Sequence, residues 1–137
     1  MFGLEPSQPF KTIDEPKYYI NFESMKRNVE SKDPIQLVDT RLEDAFSAGH
    51  IPGSKITPFT EYFNQDKTLK SKEDLIQMFC SNKVDIEADM IATCEIGVTA
   101  AIAAHALFYT KGKEIPVYDG SFSEWKNLNS DNISRDE

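Results

Sequence analysis

Several features that would assign the chain to a class at once are scarce or missing. It has 2 cysteines in 137 residues, too few for the disulfide framework of a small secreted domain. Basic charge is outweighed, with 15 Lys and Arg against 23 Asp and Glu and a formal net charge of −8. Nucleic acid and anionic membrane, which both call for a basic face, are therefore not default partners. The one basic cluster, Lys67, Lys70 and Lys72, is diluted by Asp66, Glu73 and Asp74 and reads as a solvated face. No apolar run approaches the ~18–20 residues needed to span a bilayer. The start, Met1-Phe2-Gly3-Leu4-Glu5-Pro6, lacks the basic region and apolar core of a secretion signal. It is also acidic and poor in arginine, unlike a mitochondrial presequence. The default location is cytoplasmic, or mitochondrial if the chain is part of a longer one. Internal repeats and low-complexity segments are absent.

What remains is ordinary globular composition, 39% hydrophobic and 28% charged. A chain of this length makes one domain that buries roughly two-thirds of its unfolded surface. Residues 1–17, with Pro6, Pro9 and Pro16, read as an extended lead-in or interdomain linker. Tyr18 to Phe22 suits a first strand, with Ser24 capping a helix to about Ser31. Ile35 to Asp39 is a short apolar run of buried-strand type, followed by a turn or two of helix at Leu42–Phe46 that Gly49 ends. Lys55 to Thr57 reads as a short strand and Phe59 to Asn64 as a brief helix. Ser71, with Asp74 three residues on, opens a helix to about Cys80. Met90 to Thr93 is a strand, 99 to about 110 a helix ended by Gly112, and Ile115 to Asp119 a last strand with Pro116 near its start. A final helix carries Phe122 and Trp125, and the chain after Asn127 frays into a polar tail, 129–137. Strands alternating with helices over 18–128 predict an α/β domain, a mostly parallel sheet with helices on both faces.

The chemistry concentrates in Thr93-Cys94-Glu95-Ile96-Gly97-Val98-Thr99-Ala100. Strand, tight loop and helix in that order put a thiol at the mouth of a loop whose amides can converge on one point. A free cysteine is only about 3% thiolate at pH 7, and lowering its pKa by about two units raises that to roughly three-quarters. A helix N-terminus and inward-facing amides can supply such a shift. Gly97 allows a backbone that a side chain would block, and Thr99 can cap the helix or donate its hydroxyl into the cradle. The competing account is a buried structural cysteine at the end of a core strand. Cys80, in a helical apolar stretch, reads as a buried inert thiol.

The stretch Cys94-Glu95-Ile96-Gly97-Val98-Thr99-Ala100 resembles the active-site loop of rhodanese-type sulfurtransferases. Phe46-Ser47-Ala48-Gly49-His50-Ile51-Pro52-Gly53-Ser54 is similar to that family's first signature, and Tyr118-Asp119-Gly120-Ser121-Phe122-Ser123-Glu124-Trp125 to its C-terminal one. The chain from Tyr18 onward looks like the second, catalytic half of the two-domain thiosulfate and 3-mercaptopyruvate sulfurtransferases. The resemblance implies a three-layer rhodanese-like domain with a five-stranded sheet. It implies transfer of sulfane sulfur from a small donor to a thiol or cyanide through a persulfide on Cys94. Glu95, Ile96, Gly97, Val98 and Thr99 would bind the anionic sulfur and the donor. It implies no metal or organic cofactor, and it allows a preceding rhodanese-like domain in the same longer chain.

Some positions depart from the family pattern. Glu95 and Ile96 stand where thiosulfate-type loops carry basic residues, and mercaptopyruvate-type loops have small ones there. A carboxylate beside the thiol is expected to raise its pKa and repel anionic donors. Ala45 stands where the two-domain enzymes hold a substrate-binding arginine. These departures keep a second reading open, a weakly active or inactive binding or regulatory module. A cysteine phosphatase is disfavoured because Ala100 and Ala101 stand where its phosphate-clamping arginine would be. His50 reads as a hydrogen-bonded turn residue and His105 as a core or boundary residue. Arg41 reads as a structural ion-pair partner, for instance of Glu124, or as a charge near the loop. Asp119 and Ser121 turn the last strand into a helix, with a place beside the pocket as the alternative.

Overall fold

The computed structural model describes residues 18–135; the lead-in expected over 1–17 lies outside them. Five strands, β1 (Tyr19–Ile20), β2 (Gln36–Asp39), β3 (Lys55–Ile56), β4 (Met90–Thr93) and β5 (Val117–Tyr118), form one sheet in the order β1-β5-β4-β2-β3. Every strand pair is parallel. The α/β reading from alternating strands and helices holds. β4 lies at the centre, and its run Met-Ile-Ala-Thr is buried throughout, as a strand covered on both faces requires.

Alternation along the strands sends side chains to two cores. Val38, Ala92 and Val117 face one side, under α3 (Lys72–Ser81) and α4 (Ala100–Lys111). Leu37, Ile91 and Tyr118 face the other, under α1 (Phe22–Glu30) and α5 (Ser121–Leu128). The cap of α3 is as expected, with the Asp74 amide donating to Ser71 Oγ at 3.2 Å. Gly112 ends α4 at φ +64, a left-handed position that glycine takes without strain. Pro116 precedes β5, and its carbonyl accepts the Ala92 amide at 3.0 Å, so its missing N–H is harmless. The short α2 (Glu43–Ala48) ends at Gly49, and Phe59–Tyr62 is a turn of 3-10 helix.

Four expectations need correction. Asn21 caps α1, its side chain accepting the Ser24 amide at 2.9 Å, so Ser24 lies inside the helix. Cys80 is exposed, because Leu75, Met78 and Phe79 define the inward stripe of α3 and residue 80 falls off it. His105 is likewise exposed, since Ala103, Ala106 and Leu107 form the buried side of α4. As far as residue 135 the chain after Asn127 does not fray: α5 runs to Leu128 and the segment beyond docks. Ser134 pairs with His50 through two backbone bonds of 2.9 Å, the Trp125 indole donates to Asn132 O at 2.8 Å, and Ile133 packs on the second core.

Candidate active site

Connections from β2 and from β4 leave in opposite directions, to β3 on one side and β5 on the other. Such a switch point opens a crevice at the carboxyl ends of the strands. Cys94 stands there, one residue past β4, only 1% exposed. The loop 94–99 lies between the ends of β2 and β5 and is fastened to both. Thr40 N donates to Thr93 O at 3.0 Å, and the hydroxyls of Thr40 and Thr99 are 2.8 Å apart. From the other side Phe122 N donates to Cys94 O at 2.9 Å and Ser123 N to Glu95 O at 3.0 Å. These bonds fix the loop so that the Gly97 and Ala100 amides reach the sulfur.

Gly97 makes this possible. Its φ is +91, and a Cβ there would sit 2.7 Å from the Asp119 backbone oxygen. Its amide donates to Cys94 Sγ at 3.0 Å. Burial pushes the Cys94 thiol up, but hydrogen bonds from Thr99, the Ala100 amide, Ser121 and the Gly97 amide outweigh that and hold it below the ordinary cysteine value. If Thr40 donates to Thr99 Oγ1, the Thr99 proton is free for the sulfur. Thr99 makes no cap bond of its own, so of the two roles open to it the structure supports the one in the cradle.

Ser121 read in the sequence first as a turn residue, with a place beside the pocket as the alternative, and the structure puts it beside the pocket. Its Oγ accepts the Cys94 amide at 3.1 Å, donates to Tyr118 O at 2.8 Å and lies 3.9 Å from Sγ. Its backbone is left-handed at φ +53, a strained state for a residue with a Cβ. Ala100, the first residue of α4, was outside the expected set, yet its amide reaches the sulfur.

Glu95 differs from expectation. Its carboxylate lies 3.4 Å from Arg41 Nη1 and 3.8 Å from Lys126 Nζ, so it is engaged by cations, and Cys94 is lowered despite it. Arg41 pairs with Asp39 at 2.9 Å, both side chains nearly buried, and donates to Gly49 O at 2.7 Å. Glu124, suggested as its partner, accepts instead from the Tyr118 hydroxyl at 2.9 Å. Ile96 and Val98 project outward, 65% and 67% exposed, and form an apolar rim. Ala45 is exposed on α2. His50 Nδ1 bonds Phe46 O at 2.8 Å, its ring stacked on that of Phe46, a turn residue as read.

An open cleft of about 720 Å³ lies at the opposite, amino ends of the strands, lined by Asn28, Gln36, Lys55 and Asp85 among others, and does not include Cys94. Among the described residues no helix is long and apolar enough to cross a membrane. No group of His, Cys, Asp and Glu there could hold a metal ion.

A parallel five-stranded sheet with a cysteine cradled by amides at its switch point defines the class: the chain belongs to the rhodanese-like domain family, whose model matches residues 21–128. It is 34% identical over 134 residues to human (Homo sapiens) 3-mercaptopyruvate sulfurtransferase, covering 87% of this chain and 45% of that protein. It is 37% identical over 134 residues to chicken (Gallus gallus) thiosulfate sulfurtransferase, covering 88% and 46%. The fold is shared with the Tum1 protein from Saccharomyces cerevisiae, at a TM-score of 0.78, 22% identity, and coverage of 88% of this chain and 47% of that one. The chain spans about half the length of the curated relatives it matches.

Proposed function

We propose that this chain is a sulfurtransferase domain in which Cys94 carries sulfur as a persulfide. The observation behind the reading is the convergence of Gly97 N, Ala100 N, Thr99 and Ser121 on one sulfur. In the first half-reaction the Cys94 thiolate attacks the sulfane sulfur of a donor. The new S–S bond forms as the donor's own bond to that sulfur breaks, and the leaving group departs with the electron pair. In the second, a thiol or cyanide acceptor takes the outer sulfur and Cys94 leaves as thiolate. The same donors that lower the thiol stabilise both anionic forms. Glu95 to Thr99 line the approach, with Ile96 and Val98 as the apolar rim against which a donor or acceptor rests.

Thiosulfate and 3-mercaptopyruvate are the donor types to try first, because the relatives are a 3-mercaptopyruvate sulfurtransferase and a thiosulfate sulfurtransferase. Those relatives are twice as long, so a second rhodanese-like unit in the same longer chain is a natural partner. The reading is tested by steady-state sulfur transfer from each donor to cyanide and to a small thiol. Turnover that disappears in Cys94→Ser supports it, and turnover untouched by that change refutes it.

Glu95 at the mouth and Ala45 in place of an arginine favour a second reading, a weakly active module that binds a partner. Glu95→Arg separates the two. A large gain in thiosulfate turnover marks a tuned enzyme site, and no gain favours the binding module.

A further inference from the structure

We propose that Arg41 and Lys126 form an anion-binding subsite beside Cys94, suited to a small carboxylate or oxyanion, which the Glu95 side chain fills as an internal competitor. The proposal deepens the sulfurtransferase reading and rests on it for its consequence, that anionic sulfur donors must displace Glu95 whereas neutral ones need not.

One carboxylate touches both cations: Glu95 Oε1 is 3.4 Å from Arg41 Nη1 and Oε2 is 3.8 Å from Lys126 Nζ. Both contacts are longer than the ~2.7–2.9 Å of a well-made charged hydrogen bond. The guanidinium has capacity to spare. Its Nε and Nη2 are used by Asp39 and Gly49 O, while Nη1 has only the Glu95 contact and one of 3.5 Å to Ala45 O. Phe122 gathers the two cations, with Arg41 Cζ 4.3 Å and Lys126 Nζ 5.9 Å from its ring centroid. Glu95 and Lys126 are each close to half exposed, so water screens their attraction and exchange with a solute anion is easy. The Glu95 backbone is held by Ser123 N, so unmasking needs only a side-chain rotation and leaves the loop in place.

The test uses two alkylating reagents that share a leaving group and differ in charge, iodoacetate and iodoacetamide. Both are applied at low salt to a Cys80→Ser protein, so that Cys94 is the thiol read. The quantity is the ratio of their rates at Cys94, which cancels changes in thiol reactivity. Glu95→Gln is expected to raise the iodoacetate-to-iodoacetamide ratio by about tenfold, removing one charge and uncovering two of opposite sign. Lys126→Gln alone is expected to move it less than about twofold, and the double variant to lose most of the Glu95→Gln gain, because the effect is coupled. Added salt should shrink the gain. An unmoved ratio in Glu95→Gln, or a gain kept in full by the double variant, overturns the proposal. Both side chains are close to half exposed, so folding is not at stake. Alkylation needs only a reactive thiol: failure of donors to load a persulfide would refute the sulfurtransferase reading without touching this result, and the reverse also holds.

Discussion

The Ser121 hydroxyl accepts the Cys94 amide hydrogen at 3.1 Å from a backbone held at φ +53. A strained residue at the start of α5 thus ties the first turn of that helix to the reactive thiol across the mouth of the site. Phe122 N on Cys94 O and Ser123 N on Glu95 O continue the seam. The strain is the local cost of placing one side chain and two amides against one loop.

Ser121→Ala removes the hydroxyl and keeps the strain, whereas Ser121→Gly removes both. The alanine variant should therefore be less stable than the glycine variant by about 1 kcal/mol in urea unfolding. Both should show Cys94 alkylation shifted to higher pH. Equal stability of the two would mean that the backbone at 121 relaxes.

The pH dependence of Cys94 follows from the sign of its shift. The folded protein holds the thiol below its ordinary value, so its proton is bound more weakly than in the unfolded chain. The stabilisation is complete above the unfolded value of about 8.5 and is lost as pH falls through the folded value. Stability of the parent minus that of Cys94→Ser should therefore rise with pH between those two points. The alkylation midpoint should lie below about 8.5. A midpoint at or above it would contradict the cradle.

Gly97→Ala meets a backbone oxygen that cannot step aside, 2.7 Å from the new Cβ, at φ +91. Gly53→Ala is its control, since at φ +85 nothing lies within 4 Å. Both should lose about 1–2 kcal/mol from strain, and Gly97→Ala more than that together with its contact to Sγ. Only Gly97→Ala should move the alkylation midpoint upward. The comparison is made by denaturant unfolding and alkylation against pH.

The Thr93 hydroxyl is buried without a hydrogen-bond partner, next to the reactive cysteine. Thr93→Val exchanges that orphan for a methyl of similar shape. It should leave stability unchanged or raise it by up to about 1 kcal/mol. A loss above that size would mean the hydroxyl is satisfied in solution, for example by a water.

How much of this was legible varied with the distance over which each feature is decided. The β4 run Met90–Thr93, the Ser71 cap and the Gly112 stop are local, and their sequence signals match the structure. Cys80 was misread although its own helix held the answer, since the stripe of Leu75, Met78 and Phe79 excludes position 80. The cap of α1 was displaced because Asn21 and Ser24 are both good capping residues, and only geometry chooses between them. Other features depend on contacts that spacing does not encode. Glu95 reads in sequence as a charge facing its neighbour's thiol, yet Arg41, 54 residues away, and Lys126 take it up. The docking of Asn132 to Ser134 is hidden in a polar composition. It needs the Trp125 indole and the His50 backbone to be visible. The cradle was half legible: the Gly97 turn and a contribution from the helix N-terminus could be read from the residues, whereas Ser121 joins it only once β5 lies beside β4.

The central claim is that Cys94 accepts sulfur. Intact-mass spectrometry of the reduced Cys80→Ser protein, after brief exposure to thiosulfate, 3-mercaptopyruvate or a neutral polysulfide, tests it most directly. The account predicts an added mass of one sulfur atom, mapped to the Cys94 peptide and removed by cyanide. No adduct with any donor, under conditions where a known sulfurtransferase is loaded, would contradict it.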